Sequence, residues 1–201
     1  MKISSESELR KIYNHAKGRT KLKQLNKLEK HAINFIKHSP FLVISTSNLQ
    51  GKLDSSPRGG HSGFVEIIDD KTIIIPDGKG NNRIDSLINI TENSSIGFLF
   101  LIPGVNETLR INGRAEIRTD HEYLALFSTY KNRPKVVIKV EIEELFLHCA
   151  KAFMRSKLWG EASKIERSTF PTMGEMISDQ IGDTTEVESH QSMVERYKKD
   201  L

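Results

Sequence analysis

Residues 107–120 read ETLRINGRAEIRTD. In an extended chain Leu109, Ile111, Gly113, Ala115 and Ile117 fall on one side, and Thr108, Arg110, Asn112, Arg114, Glu116 and Arg118 on the other. A period of two held over this length predicts a long β-strand with one face in a core. The same grammar extends in both directions. Upstream, SIGFLFLIPG (95–104) is a buried strand closing on a Pro-Gly turn, and FLVISTSN (41–48) turns at NLQG to return through KLDSS. GFVEIID (63–69) and TIIIPD (72–77) flank Asp69-Asp70-Lys71 as a hairpin. Downstream, KVVIKVEIEELFLHC (135–149) is the last long strand.

Helices fill the gaps and both ends. The pattern predicts helices over 5–17, 20–38, 83–92, 121–130, 150–158, 172–181 and 186–199. In 20–38, Leu22, Leu25, Leu28, Ala32, Ile33 and Ile36 form one apolar stripe ended by Pro40. The expected fold class is mainly β with flanking helices, with six to seven mostly antiparallel strands. Long strands on short turns favour a barrel, because closure removes exposed edges. The expected organisation is a helical arm over 1–39, a barrel over 40–150 and a helical tail over 151–201 packed on the barrel.

Composition narrows the function classes. In the 201 residues no apolar run approaches the roughly 18–20 that span a bilayer, and the first residues lack the apolar segment of a secretory signal. A single cysteine, Cys149, rules out an internal disulfide and suits a cytoplasmic protein. The seven histidines are scattered without metal-ligand spacing, so no metal site is expected. Residues 1–39 hold ten Lys/Arg against three Asp/Glu, while the remainder holds 20 against 23. Those lysines lie on polar helix faces without interleaved aromatics, which reads as a solvated surface rather than a nucleic-acid site.

Three polar clusters interrupt the strands. IPDGKGNNRIDSLINI (75–90) places Gly80, Asn81, Asn82 and Arg83 where a helix begins. Asn82 can cap that helix and Asp85 suits its first turn, but Arg83 opposes the macrodipole unless an anion is present. The stretch is either a decorated cap or a seat for a phosphate. The second cluster runs from Asp54 to Gly63 and closes on SPRGGHSG. It sets Arg58 between a proline and two glycines, where backbone turns or approaches something closely. The third cluster is the row Arg110, Asn112 and Arg114 on the polar face of the long strand.

Taken together, SPRGG, PDGKGNNR, FLFLIPG and LRINGRA resemble the pyridoxamine 5′-phosphate oxidase-like family of FMN-binding split β-barrels, over about residues 40–150. The resemblance implies FMN as cofactor, with Arg83 and Asn82 on its phosphate and Gly80 and Asn81 assisting. It implies that Arg58 and Asp77 approach the flavin, and that Arg110 and Asn112 lie near it on the barrel wall. It further implies a homodimer with FMN at the subunit interface, where Lys157 and Trp159 complete the site. The implied activity is an oxidoreductase using a small-molecule electron donor or acceptor, with no catalytic residue assigned. Two features depart from the family. HCAKAFMRSKLW (148–159) contains no Arg-x-His for a vitamer phosphate, and Asn82 replaces an arginine. The expectation is therefore FMN binding without vitamin B6 oxidation. A flavin-binding sensor or stress protein, or the same fold holding a deazaflavin or haem, stands as the alternative.

Overall fold

The computed structural model describes residues 2–183, 185 and 187–200. The elements run α1 (Glu6–Arg10), α2 (Arg19–Leu22), α3 (Lys30–His38), β1 (Phe41–Ser47), β2 (Leu53–Gly59), β3 (Glu66–Ile67) and β4 (Thr72–Pro76). They continue with α4 (Asp85–Glu92), β5 (Ser95–Leu101), β6 (Thr108–Arg118), α5 (His121–Ala125), β7 (Val137–His148), α6 (Lys151–Ser156), α7 (Met173–Ile181) and α8 (His190–Lys198). The seven strands make one antiparallel sheet in the order β2-β1-β5-β6-β7-β4-β3. It curls into a split barrel.

The alternation in β6 is realised. Leu109, Ile111, Gly113 and Ala115 are buried, and Arg110, Asn112, Arg114 and Glu116 face outward. The inner face collects Leu42 and Ile44 from β1, Phe98 and Phe100 from β5, Ile138 and Val140 from β7, and Ile73 and Ile75 from β4. Each fully buried side chain of this size contributes about 1.5–3 kcal/mol. A smaller core lies on the opposite face, where Ile74 and Val137 pack with Phe127, Tyr123 and Leu124 from the α5 region. Thr108 departs from the pattern: it is buried although it belongs to the polar register.

A bulge sets the geometry of the long pair. Asn112 faces Glu144 while Gly113 faces Ile142, so Glu143 is the extra residue. A Cβ on Gly113 would collide with the Glu141 carbonyl oxygen, which explains glycine at that position.

The helix expected over 20–38 is two helices with an extended crossing between them. β4 begins at Thr72 opposite Glu141, which leaves the far half of one β7 edge without a strand partner. Leu25 fills that edge, donating to and accepting from Leu145 at 2.9 and 2.8 Å. The unpaired β7 backbone groups outweigh the helical preference of residues 23–29. Of the predicted stripe, Leu28, Ala32 and Ile36 are buried, but Leu22 is 76% exposed. The helix expected over 5–17 shortens to α1.

α4 lies across β1 and β2. Leu87 and Ile90 enter the core, Asn89 donates to Thr46 Oγ1 at 3.0 Å, and Ser86 donates to Asp54. The tail touches the barrel more lightly. Trp159 donates its indole N–H to the Val105 carbonyl oxygen at 2.9 Å and stacks on Phe153. Lys79 pairs with Asp200 at 2.6 Å, and no residue of α6, α7 or α8 is buried. Among the described residues no helix is long and apolar enough to cross a membrane.

Candidate cofactor site

β2 carries Asp54, Ser56 and Arg58 on one side by strand alternation, opposite the inward-facing Thr46, Ile44 and Leu42 of β1. Arg58 is thus a residue within a strand, not the inter-strand residue that its Pro and Gly neighbours suggest. Its side chain is only 19% exposed. Nη1 donates to Ser56 Oγ at 2.6 Å and to the Pro57 carbonyl oxygen at 3.0 Å, while Nη2 lies 3.6 Å from Asp77 Oδ1. Nε is buried and has no hydrogen-bond partner among the described residues. Asp77 sits just past the end of β4. Burial pushes its carboxyl above the usual carboxylate value, and the Arg58 charge opposes that shift without cancelling it.

The 80–83 loop runs from Asp77 into α4 and is exposed throughout. Its glycines are not where the backbone bends unusually. A Cβ on Gly78 or Gly80 would meet open space, whereas Asn82 and Ile84 take the left-handed conformation with φ of 63° and 49°. Asparagine tolerates that region; a β-branched isoleucine is strained there. This corrects the capping assignment. Ile84, not Asn82, occupies the N-cap position, and no side chain caps the helix. Asn81 turns inward on its own loop, accepting the Arg83 backbone N–H at 3.0 Å.

Arg83 has a partner. Its Nε donates to Asp85 at 2.9 Å, and that bond together with the Asp85 charge holds the guanidinium more firmly protonated, with Asp54 adding to the effect. The anion that the cation in this turn calls for is supplied within the chain. Even so, the Arg83 side chain is 74% exposed beside the start of an uncapped helix. Arg58 on β2 and Asp77 at the end of β4 are therefore paired, and the loop that follows Asp77 carries Arg83 to the start of α4.

The other expected residues lie elsewhere on the chain. Arg110 and Asn112 both donate to Glu144 on the outer sheet face, the latter at 3.0 Å, and Gln24 donates to the same carboxylate. The Arg110 guanidinium lies 4.1 Å over the Phe146 ring, with its buried Nε unpartnered. Beside them, Ser45, Ser47, Ser95, Gly97 and Asn112 line an open cleft of about 340 Å³. Lys157 is exposed in a left-handed turn after α6, and Trp159 is occupied by its contacts with Val105 and Phe153. Among the described residues, none of Arg110, Asn112, Lys157 and Trp159 is hydrogen-bonded or paired to Arg58, Asp77 or the 80–83 loop.

Glu144, Phe146 and Ser86 organise these clusters and escaped the sequence reading, as did the pairing of Ser86 with Asp54. The doubled Glu143-Glu144 between Ile142 and Leu145 is the trace that the bulge leaves in the sequence, since it breaks the period of two. Asp54 and Ser86 meet only through the tertiary fold and leave no local trace.

A seven-stranded antiparallel split barrel defines the class. Sequence comparison then names the family. The family model described as pyridoxamine 5′-phosphate oxidase matches residues 28–149, more than half of the chain, and the protein belongs to that family. Solved structures agree on the fold. HupZ of Group A Streptococcus is 21% identical over 60% of this chain and 93% of its own, with a TM-score of 0.51. A Lactobacillus delbrueckii protein of pyridoxamine 5′-phosphate oxidase type is 20% identical over 62% of this chain and 98% of its own, with a TM-score of 0.50. No curated protein matches the chain.

Proposed function

We propose that the protein is an FMN-binding flavoprotein acting as an oxidoreductase on a small molecule. The observation that carries this reading is the set of unsatisfied donors on β2 and at the start of α4. A largely buried arginine, Arg58, has an unpartnered Nε, and an eight-residue helix with no side-chain cap begins beside an exposed Arg83. Helix N–H groups and guanidinium donors suit a phosphate. In this reading the N–H groups at the start of α4, Arg83 and the side chains of Asn81 and Asn82 hold the FMN phosphate. Arg58 and Asp77 lie against the remainder of the cofactor. When bound, FMN supplies the hydride chemistry; the chain binds it, orients it and limits the water that reaches it.

The same reading makes the protein a homodimer. The outer sheet face leaves Phe41 and Leu53 exposed at 38% and 80%, with Val43, Leu99 and Leu101 half-buried beside them. In this reading a second copy on this face brings its own polar groups, including Arg110, Asn112, Lys157 and Trp159, toward Arg58 and the 80–83 loop. Titration of FMN into Arg83→Ala tests the phosphate seat. Affinity should fall at least roughly tenfold, the loss of one charge-assisted contact, while the urea midpoint stays put. Unchanged affinity would defeat the assignment.

A further inference from the structure

The tail lies beyond the family-matched residues 28–149 and is held at its ends rather than by an apolar face. No described residue from 150 to 200 is buried. At the near end Trp159 is fixed to Val105 and Phe153. Further on, α7 and the lead-in to α8 pack closely. A Cβ on Gly174 would meet Val187 Cγ1 at 2.5 Å, and Arg167 donates to His190 Nδ1 at 3.5 Å. Glu188 and Arg196 pair at 2.7 Å along α8.

The far end of α8 lands on the loop before α4. Lys79 donates to Asp200 at 2.6 Å, and Asn132 donates to the Lys199 carbonyl oxygen at 3.4 Å. Among the described residues, the Lys79–Asp200 pair is the only hydrogen bond or ion pair that joins residues 78–82 to a distant part of the chain. Sterics do not fix the loop either, since a Cβ on Gly78 or Gly80 would meet open space. A carboxylate from the tail thus sits on the cation four residues before Arg83, and Asp85 sits on Arg83 itself. Both cations between Asp77 and Asp85 are occupied by anions of the chain.

We propose that α8 is an autoinhibitory strap, whose Asp200 carboxylate occupies Lys79 and gives way when an anionic ligand binds the loop. The identity of that ligand as FMN rests on the function proposed above. The clasp is built to yield. The Lys79 side chain is 63% exposed and that of Asp200 39%, and exposed pairs of this kind contribute little and are screened by salt. Lifting α8 uncovers no buried residue of that helix. A phosphate monoester carries about −1.5 to −2 at pH 7 against the single charge of a carboxylate, so it outcompetes Asp200 for the same cation. Linkage makes the effect reciprocal. The factor by which Asp200 weakens the ligand is the factor by which the ligand loosens the strap.

FMN is titrated by fluorescence into the full chain as wild type, Asp200→Asn and Glu195→Gln. The last removes a carboxylate paired with Lys198 on the same helix and controls for net charge. Affinity should rise roughly threefold in Asp200→Asn, the release of one exposed ion pair, and stay put in Glu195→Gln. In a Lys79→Ala background Asp200→Asn should add nothing, because the contested cation is gone. Hydrogen exchange read by mass spectrometry follows the strap itself. Saturating FMN should speed exchange over residues 195–200 of wild type and leave it unchanged in Asp200→Asn. Affinity unchanged or lowered in Asp200→Asn, or exchange of the tail slowed by FMN, would overturn the strap and leave the cofactor reading standing. FMN bound by none of these proteins would defeat the cofactor reading, and the strap with it.

Discussion

Arg58 and Asp77 face each other across the split in the barrel, Nη2 to Oδ1 at 3.6 Å, although they belong to β2 and to the end of β4, far apart in the strand order. No backbone ladder joins those two places among the described residues. The pair ties the two ends of the sheet together, and its arginine opposes the rise that burial imposes on the Asp77 carboxyl.

Arg58→Ala should destabilise the protein by about 1–3 kcal/mol, because it leaves a partly buried carboxylate without its partner. The Asp77 carboxyl, already raised above its ordinary 3.8 by burial, should rise further once the opposing charge is gone. The sign for stability follows from the shift. A carboxyl whose folded value is raised binds its proton more tightly in the native state. Its contribution is most favourable below the ordinary value and is lost as pH rises through the folded one. Asp77→Asn should flatten that part of the stability profile. Carbon-detected NMR titration of Asp77 in wild type and Arg58→Ala, with urea unfolding across the same pH range, checks both statements.

Asp85 competes with any ligand for Arg83. Asp85→Ala removes the ion pair at 2.9 Å and frees the guanidinium at the helix start. Binding of a phosphate-bearing flavin should tighten by several-fold, against a stability cost of about 0.3–1 kcal/mol for the lost acidic residue in the first turn. Riboflavin, which lacks the phosphate, should bind the two proteins alike. Parallel fluorescence titrations with FMN and riboflavin measure the difference.

Ile84 holds a left-handed backbone at φ 49° that β-branched side chains resist, and it is 52% exposed, so little packing offsets the strain. Ile84→Asn should stabilise the chain by about 1 kcal/mol, and Ile84→Gly by a similar amount less its greater unfolded-state entropy. The thermal midpoint of each variant is the readout. A fall in both would mean that the exposed isoleucine packs against a partner not present in a single chain.

Gly113→Ala should cost about 3 kcal/mol or abolish folding, because the new methyl meets the Glu141 carbonyl oxygen across the bulge. Gly80→Ala, with open space around its position, should be close to neutral. Denaturant unfolding of the two variants separates them.

The long strands β1, β5, β6 and β7 were legible because each carries its own period or apolar run, whereas the strand expected over 63–69 is reduced to Glu66–Ile67 and β2 runs on to Gly59. β6 and β1 sit where alternation and apolar runs place them, and the family resemblance lies in those strands and the loop before α4. What escaped was decided at a distance. Nothing within residues 23–29 reports that β7 offers a free edge, so a helical stripe gave way to a bridge between Leu25 and Leu145. The cap of α4 was assigned to Asn82 because asparagine is a common N-cap residue. The chain instead sets Ile84 at that position and turns both Asn82 and Ile84 into the left-handed region. In the candidate site, Arg58, Asp77 and the 80–83 loop were found as local polar clusters. The pairing of Asp54 with Ser86 and of Arg110 with Glu144 depends on register and on the bulge, which no local pattern fixes.

The most direct measurement is of the bound chromophore. The chain is purified, its visible spectrum is recorded, and any released pigment is identified by mass. The account predicts stoichiometric FMN, retained by wild type and largely lost from Arg83→Ala. A colourless protein that also fails to take up added FMN would contradict it.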